Sequence, residues 1–142
     1  MKEPGYRDTA TCQENHSRFD KRVVASGQVW GLEGLNGWAY AESNEDERIH
    51  VLLFWSDEPY ARRAQSEFPD HTPMPITLFD FLYRWLPGMS GDGVLAGTNW
   101  TGDLVGLEKN PFELRVEIEA MLPHDIAQQH KVMCAKITGR KT

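Results

Sequence analysis

The chain has 142 residues and a formal net charge of −6, with 21 acidic and 15 basic residues, and 40% of its residues are hydrophobic. This length and average composition predict one globular domain and indicate neither a disordered nor a fibrous protein. The surplus of negative charge repels phosphate backbones, so nucleic-acid binding is disfavoured and a basic protein partner is easier to accommodate.

The charge is distributed unevenly along the chain. Residues 33–119 hold sixteen acids and six bases, whereas residues 120–142 hold one acid and four bases.

Cys12 and Cys134 are too few for a disulfide framework and suit a reducing compartment. No uncharged stretch approaches the roughly 20 residues of a membrane span, and the first residues do not begin a signal peptide. We therefore expect a cytoplasmic protein that does not bind membranes.

The first third of the chain predicts a helix followed by a hairpin. Apolar residues near three-and-four spacing predict a helix over residues 12–25, ended by a glycine. Residues 28–32 and 38–42 alternate in polarity around a glycine-rich turn, which is typical of hairpin strands. If even positions face even positions, one face carries Trp30, Leu32, Trp38 and Tyr40. That face is either a second packing surface or a partly open aromatic wall.

The middle of the chain begins with a predicted strand whose odd-numbered and even-numbered positions are both mainly apolar. Residues 48–55 therefore predict a central strand covered on both sides. Alternation places His50 on the face of Leu52 and Phe54, which predicts a histidine in the core or at its edge. A short amphipathic helix capped by Ser56 or Asp57 follows.

Prolines limit which elements can form before the third predicted helix and where that helix can end. The proline-rich segment that begins at Pro69 can contribute at most an edge strand at residues 74–76. Thr77 has the position of an N-cap, so a third helix is predicted over residues 78–86. Pro87 and the glycine after it are expected to end that helix.

The last third predicts a second hairpin and two more helices. Residues 93–97 and 102–108 read as its two strands. Asn110 is the N-cap of a fourth helix that has proline in its first position, and a fifth helix is expected after Pro123. Together these elements predict a single α+β domain over residues 1–142, with a mainly antiparallel sheet of about five short strands and four or five helices.

Four phrases, in their order and spacing, resemble a known family. They are VWGLEGLNGWAYAE, VLLFWSDEPYARR, PITLFDFLYRWLPGMSGDGVLAG and GDLVGLEKNPFEL. The chain is similar in these phrases to the small bacterial proteins of domain-of-unknown-function family 2750, over about residues 19–122. The resemblance implies a compact α+β domain from bacteria and carries over no catalytic residue. It leaves residues 123–142 as a basic extension, expected to be helical.

One set of residues has the composition of a zinc site. Cys12 and His16 are four apart on the first predicted helix, and His130 and Cys134 are four apart on the last. If those helices pack together, the four side chains could form a tetrahedral set. The chain has no Cys-x-x-Cys pair, however, and the same residues border apolar stripes. We therefore predict no metal and no cofactor.

Catalytic signatures are weak throughout the chain. No serine lies in a G-x-S-x-G elbow, and the glycine-rich residues 88–97 lack the lysine of a phosphate-binding loop. Asp70 and His71 could act as an acid–base pair, but adjacent residues in a proline-rich segment usually face different directions. The sequence therefore predicts no catalytic residue and leaves an enzymatic function open.

The aromatic residues of the third predicted helix suggest a surface that needs a cover. Phe79 and Tyr83 lie off its core-facing stripe, so the last helix, a second copy or a partner should cover them. The leading hypothesis is a non-catalytic interaction module, inhibitor or immunity-like, that binds a basic protein or itself. The alternative is a small-ligand-binding protein or small enzyme with a pocket beside the first hairpin. The candidate binding residues are Trp30, Trp38, Tyr40, Phe79, Tyr83, His50 and His71.

Overall fold

The computed structural model describes the backbone of residues 4–141 and the side chains of residues 10–137. Within these residues the chain forms five helices and seven strands. The helices are α1 (Pro4–Ser26), α2 (Glu58–Ala64), α3 (residues 78–92), α4 (Pro111–Glu119) and α5 (His124–Lys141). The strands are β1 (Gln28–Gly34), β2 (Gly37–Trp38), β3 (Tyr40–Glu42), β4 (His50–Phe54), β5 (Thr72–Thr77), β6 (Leu95–Thr98) and β7 (Leu107–Lys109).

The predicted α+β class is confirmed, but the strands of the described chain form two sheets where the sequence predicted one. One sheet is antiparallel, with the order β2-β1-β5, and the other has the order β3-β4-β6-β7. β4 and β6 run parallel, since the chain returns through α2, β5 and α3 before β6 begins. β4 is a central strand, as predicted, and the proline-containing β5 lies at an edge.

The first hairpin turns after two residues, and this overturns the predicted aromatic face. Glu33 pairs with Trp38, so odd positions of β1 lie opposite even positions of β2. Trp38 therefore covers Gly31, where an added Cβ would lie 2.9 Å from its ring. Trp30 points to the other side and packs against a different apolar cluster. The two tryptophans lie on opposite faces and form no common wall.

The predicted second strand, residues 38–42, is split between the two sheets at Ala39. The N–H of Ala39 donates to the carbonyl of Leu32 at 2.8 Å, and its own carbonyl accepts from the N–H of Leu53 at 3.2 Å. The chain thus leaves the first sheet at this buried residue and enters the second, where Tyr40 pairs with the central strand.

Helix α3 continues through Pro87, where the sequence predicted its end. Thr77 caps its start, as predicted, by accepting a backbone N–H at 3.1 Å. Residues Phe81–Trp85 then form a π-helical turn, and α-helix resumes over Leu86–Asp92 with the proline in its first turn. Proline cannot donate to the preceding turn, and the wider π-turn accommodates its ring. Gly93 ends the helix in the left-handed conformation.

Two apolar clusters fill the interior. The first is centred on Phe81, whose ring makes edge contacts with Phe54 at 4.8 Å and Phe19 at 6.2 Å between centroids. The second surrounds Trp55, which is fully buried. Trp55 exchanges two backbone hydrogen bonds with Trp30, at 2.7 and 2.8 Å, and so links the two sheets.

The last helix covers the aromatic side of α3. The ring centroid of His130 lies 5.4 Å from that of Phe79 and 5.6 Å from that of Tyr83. Phe79 is 6% exposed, and the half-buried Tyr83 donates its hydroxyl to Glu119 at 2.5 Å. Of the three covers that the sequence left open, the chain's own last helix is the one observed.

We expect α5 to be held less firmly at acid pH. Burial lowers the pKa of His130 from its ordinary value of 6.5, although the nearby Glu119 raises it. The folded protein therefore favours the neutral form of His130, and the stability linked to it is present above about pH 6.5 and lost as the pH falls through the lowered pKa. Urea denaturation at about pH 8 and about pH 5 should show a larger loss in the wild type than in His130→Gln.

An exposed histidine on the same helix provides the control. The control variant is His124→Gln, which removes a histidine whose side chain is exposed in the folded chain. If wild type and His130→Gln lose equal stability on acidification, the prediction is wrong.

Candidate functional site

A buried polar cluster lies where α1, β6 and α4 meet. His16 and Asp20, one turn apart on α1, are 6% and 7% exposed. His16 Nδ1 is 2.8 Å from Oγ1 of the fully buried Thr98, the last residue of β6. His16 Nε2 is 2.7 Å from Glu117 Oε1 on α4 and 3.4 Å from Asp20 Oδ2. Both ring nitrogens of His16 are therefore engaged.

Helix periodicity explains why these residues meet. His16 and Asp20 share the buried face of α1 with Phe19 and Val23, because residues three and four apart lie on one side of a helix. Glu117 precedes the fully buried Ile118 on α4, which places it at the margin of the same core. The cluster is thus built from polar residues on otherwise core-facing stripes.

The two carboxyl groups of the cluster have different electrostatic environments. Burial raises the pKa of Asp20 well above its usual range, and its hydrogen bond with Glu117 adds to this effect. Burial would also raise the pKa of Glu117, but hydrogen bonds with Asp20, Lys109 and His16 outweigh it and hold that pKa below its usual range. Lys109 Nζ lies 2.7 Å from Glu117 Oε2. The Glu117 carboxyl is therefore the more acidic of the two, because its pKa is held low while that of Asp20 is raised.

This cluster offers a compact set of donor atoms. One ligand-type atom each from His16, Asp20 and Glu117 lies within 4.8 Å of the others. Asp20 Oδ1 is buried and has no hydrogen-bond partner. One imidazole nitrogen and two carboxylate oxygens can hold a proton between them or coordinate a divalent cation.

A cleft of about 530 Å³ opens beside the cluster, at the carboxyl ends of the parallel strands β4 and β6. Open α/β sheets bind ligands at this edge, and the volume falls in the range of small-molecule sites. Thr98 belongs to the cluster, and the next residues of the chain line the cleft. The lining residues are Asn15, Arg18, Tyr60, Arg63, Asn99, Trp100, Thr101 and Gly102.

Asn99, the residue after β6, links that strand to α1 and to the loop before α2. Its backbone has a φ of 50°, in the left-handed region, and the residue is 5% exposed. Its Oδ1 accepts from the N–H of Ser56 at 2.8 Å. Its Nδ2 donates to Ser56 Oγ at 3.1 Å and to the carbonyl of Asn15 at 3.3 Å. A side chain held at both ends keeps this corner of the cleft rigid.

Trp100 forms a rigid floor beneath the cleft. Its Nε1 donates to the carbonyl of Leu107 at 2.7 Å, and its own carbonyl accepts from Trp55 Nε1 at 2.9 Å. The ring lies against two glycines: an added Cβ at Gly97 or Gly106 would lie 2.7 or 2.2 Å from it. The indole therefore occupies the space that glycine leaves in β6 and in the loop before β7.

The side chains that line the cleft carry positive charge, although the chain as a whole has a formal net charge of −6. Arg18 and Arg63 line it, and its lining includes no acidic residue. Arg18 Nη1 donates to Asn15 Oδ1 at 2.9 Å, and the Arg63 guanidinium lies 5.6 Å from the ring centroid of Tyr60. Both arginines are exposed and make no salt bridge within the described side chains. Arg18 lies near enough to Asp57 to help hold the pKa of that carboxyl below its usual range, and both guanidinium groups remain accessible to a ligand.

The seven residues predicted as binding candidates lie elsewhere. Trp30 and Trp38 are half-buried on opposite faces of the first sheet. Tyr40, 50% exposed, stacks on His50 at 4.3 Å between centroids. The prediction that His50 lies in the core or at its edge is wrong: His50 is exposed, because it is the first residue of β4, at the end of the sheet far from the cleft.

The remaining candidates have mainly packing contacts. Phe79 and Tyr83 lie beneath α5, as described above. The half-buried ring of His71 lies against Gly34, where an added Cβ would be 2.7 Å from its Nε2, and makes an edge contact with Phe68. Asp70 is exposed. Neither Asp70 nor His71 lines the cleft.

The four residues weighed as a zinc set do not converge. His16 faces β6 and α4, whereas His130 lies between the two aromatic rings of α3. Among the described side chains, the group of potential ligands that contains His16 includes neither cysteine. Sequence reasoning missed Asp20, although its spacing of four from His16 was visible. Glu117 could not be assigned, because 101 positions separate it from His16.

Comparison with known proteins identifies a family. Residues 16–118, more than half of the chain, match the family model described as "Protein of unknown function (DUF2750)", and the chain belongs to this family. The matched range extends from His16 to Ile118 and so includes the whole polar cluster. No curated protein and no solved structure matches the chain significantly. Among the described helices, none combines the length and apolar character that a membrane span needs.

Proposed function

We propose that this protein binds a small anionic ligand, bearing phosphate or carboxylate groups, in the cleft at the ends of β4 and β6. The observation that carries the proposal is that Arg18 and Arg63 both line this cleft, whose lining contains no acidic side chain. Guanidinium groups match the planar geometry of carboxylate and phosphate oxygens better than other cations do.

The surroundings support binding by a site that is already formed. Asn99 is held by three side-chain hydrogen bonds, and Trp100 is 4% exposed and fixed by two more. A ligand would therefore order little besides the two arginine side chains, which lowers the entropic cost of binding. The ring of Tyr60 supplies an apolar wall beside the charged groups.

This proposal replaces the hypothesis favoured from the sequence. That hypothesis rested on the acidic middle of the chain and on the absence of a catalytic cluster, and it took exposed aromatic residues as part of the binding surface, but α5 covers Phe79 and Tyr83. The alternative class, a small-ligand-binding protein, now has a cleft to support it. The cleft lies between α1, α2 and the end of β6, and not beside the hairpin that carries Trp30 and Trp38.

We expect the full chain to bind pyrophosphate or citrate saturably, as measured by calorimetry and by the indole NMR signal of Trp100. Arg63→Gln and Arg18→Gln should each weaken binding by about tenfold or more, because each removes a charge-assisted hydrogen bond. Higher salt should also weaken binding, since both arginines are exposed.

Arg62 is a matched control on the same helix. It is exposed, pairs with Glu58 and does not line the cleft. Arg62→Gln should therefore bind both probes as the wild type does. Equal weakening by Arg62→Gln and Arg63→Gln, or no saturable binding of either probe, would contradict the proposed function.

Exposed apolar side chains favour interaction with a protein as the second candidate function. Val132 and Met133 on α5 are 53% and 43% exposed, and Phe112 and Val116 on α4 are 57% and 48% exposed. Apolar groups of this kind are common at association surfaces. A non-catalytic interaction module would use them for self-association or, with the acidic body, for a basic partner. Light scattering at two protein concentrations tests self-association directly.

A further inference from the structure

In the buried cluster on α1 and α4, the potential ligand atoms lie at or slightly below the separations found in a cation site. This cluster is separate from the proposed anion cleft. Two bonds of about 2.1 Å at a tetrahedral metal place the ligand atoms about 3.4 Å apart. His16 Nε2 and Asp20 Oδ2 already have this separation, 3.4 Å. His16 Nε2 and Glu117 Oε1, now 2.7 Å apart, would need to separate by about 0.7 Å to reach it.

We propose that His16 Nε2 and the carboxylates of Asp20 and Glu117 bind a divalent transition-metal ion of the zinc type. Two ligands one turn apart on a helix, with a third from another element, are a usual way to hold zinc. Three protein ligands would leave one coordination position open, as in zinc sites that bind water or a substrate atom. The proposal does not rest on ligand binding in the cleft.

An oxygen of Asp20 supplies independent support. The residue is 7% exposed, and Oδ1 is buried without a hydrogen-bond partner, while the other oxygen faces the imidazole. A buried polar atom without a partner is rare in folded proteins and calls for a physical explanation. A cation that this carboxylate coordinates through both of its oxygens would satisfy Oδ1 as well as Oδ2.

The atoms around the three ligands are arranged as a metal site requires. With Nδ1 protonated and donating to Thr98 Oγ1 at 2.8 Å, His16 turns the lone pair of Nε2 towards the two carboxylates. Lys109 holds Glu117 Oε2 and leaves Oε1 for the metal. The Glu117 side chain is 37% exposed, which gives a metal ion a route from solvent.

The test uses the full chain, stripped with a chelator, and zinc chloride alone as the probe. Calorimetry should show one site of about micromolar affinity, moderated by the positive charge of Lys109. Asp20→Asn and Glu117→Gln should each weaken zinc binding by about 100-fold or more, since each replaces an anionic ligand by a neutral amide. The exposed His50 gives the control, and His50→Gln should bind zinc as the wild type does.

A second variant tests the site without removing a ligand. Thr98→Val keeps the shape of the buried side chain and removes the partner of His16 Nδ1, so zinc affinity should fall by about 10- to 100-fold. Zinc should also raise the thermal unfolding midpoint of the wild type but not that of Asp20→Asn. Arg63→Gln should leave zinc affinity unchanged, which separates this site from the cleft.

Two results would overturn the assignment. One is the absence of any wild-type binding tighter than about millimolar. The other is zinc binding that Asp20→Asn and Glu117→Gln leave intact, because the metal would then be bound outside the cluster.

Discussion

Replacing His16 by alanine is expected to lower the free energy of unfolding by about 3–5 kcal/mol. The imidazole lies between Glu117 at 2.7 Å and Asp20 at 3.4 Å, and its other nitrogen contacts Thr98 at 2.8 Å. Its removal would leave two carboxyl groups facing each other and a buried hydroxyl without its partner. Losing one member of a buried, hydrogen-bonded charge group costs more than the group itself contributes.

Urea denaturation in the presence of a chelator measures this effect without a contribution from bound metal. The control is His50→Ala, because His50 is exposed at the opposite end of its strand. Its free energy of unfolding should stay within about 0.5 kcal/mol of the wild type. A loss of less than about 1 kcal/mol for His16→Ala would mean that water enters the cluster and replaces the imidazole.

Gly97→Ala is expected to destabilise the fold by about 1–3 kcal/mol or more. The added Cβ would lie 2.7 Å from Trp100 Nε1 and 2.8 Å from a methyl carbon of Leu53, and both neighbours are buried. Gly97 is paired with strands on both sides, so its backbone cannot move away without breaking those ladders. The variant should also displace the Trp100 ring and weaken binding in the cleft.

Gly88→Ala makes the same chemical change where there is space. Gly88 lies in α3, and no atom is within 4 Å of its added Cβ. Because alanine restricts the unfolded chain and favours helix, we expect a gain of about 0.4–1 kcal/mol. Tryptophan fluorescence should change in Gly97→Ala but not in Gly88→Ala. Similar effects of the two substitutions on stability would contradict this account.

Three consecutive residues at the end of β6 connect the features described above. Thr98 contacts the buried cluster, Asn99 ties together the elements around the cleft, and Trp100 forms its floor. A substitution that moves this segment should therefore affect both sites, whereas Arg63→Gln and Asp20→Asn should each affect one.

Local interactions made several features of this protein predictable from sequence. The Thr77 cap accepts the N–H three residues later, and the Asn110 cap accepts two N–H groups at 2.9 and 3.1 Å, as their positions predicted. The central position of β4 was predictable because its odd-numbered and even-numbered positions are both mainly apolar, and the edge position of β5 was predictable from its prolines. Each of these depends on residues a few positions apart.

Features that depend on distant residues were decided by the tertiary structure. The sequence contained both tryptophans, but the two-residue turn and the pairing of Glu33 with Trp38 decided that they lie on opposite faces. It contained His16 and Glu117, but only the packing of α1 against α4 brought them to 2.7 Å. Periodicity shows which side of a helix or strand is buried. It does not show which other element covers that side, because long-range packing depends on the whole chain at once.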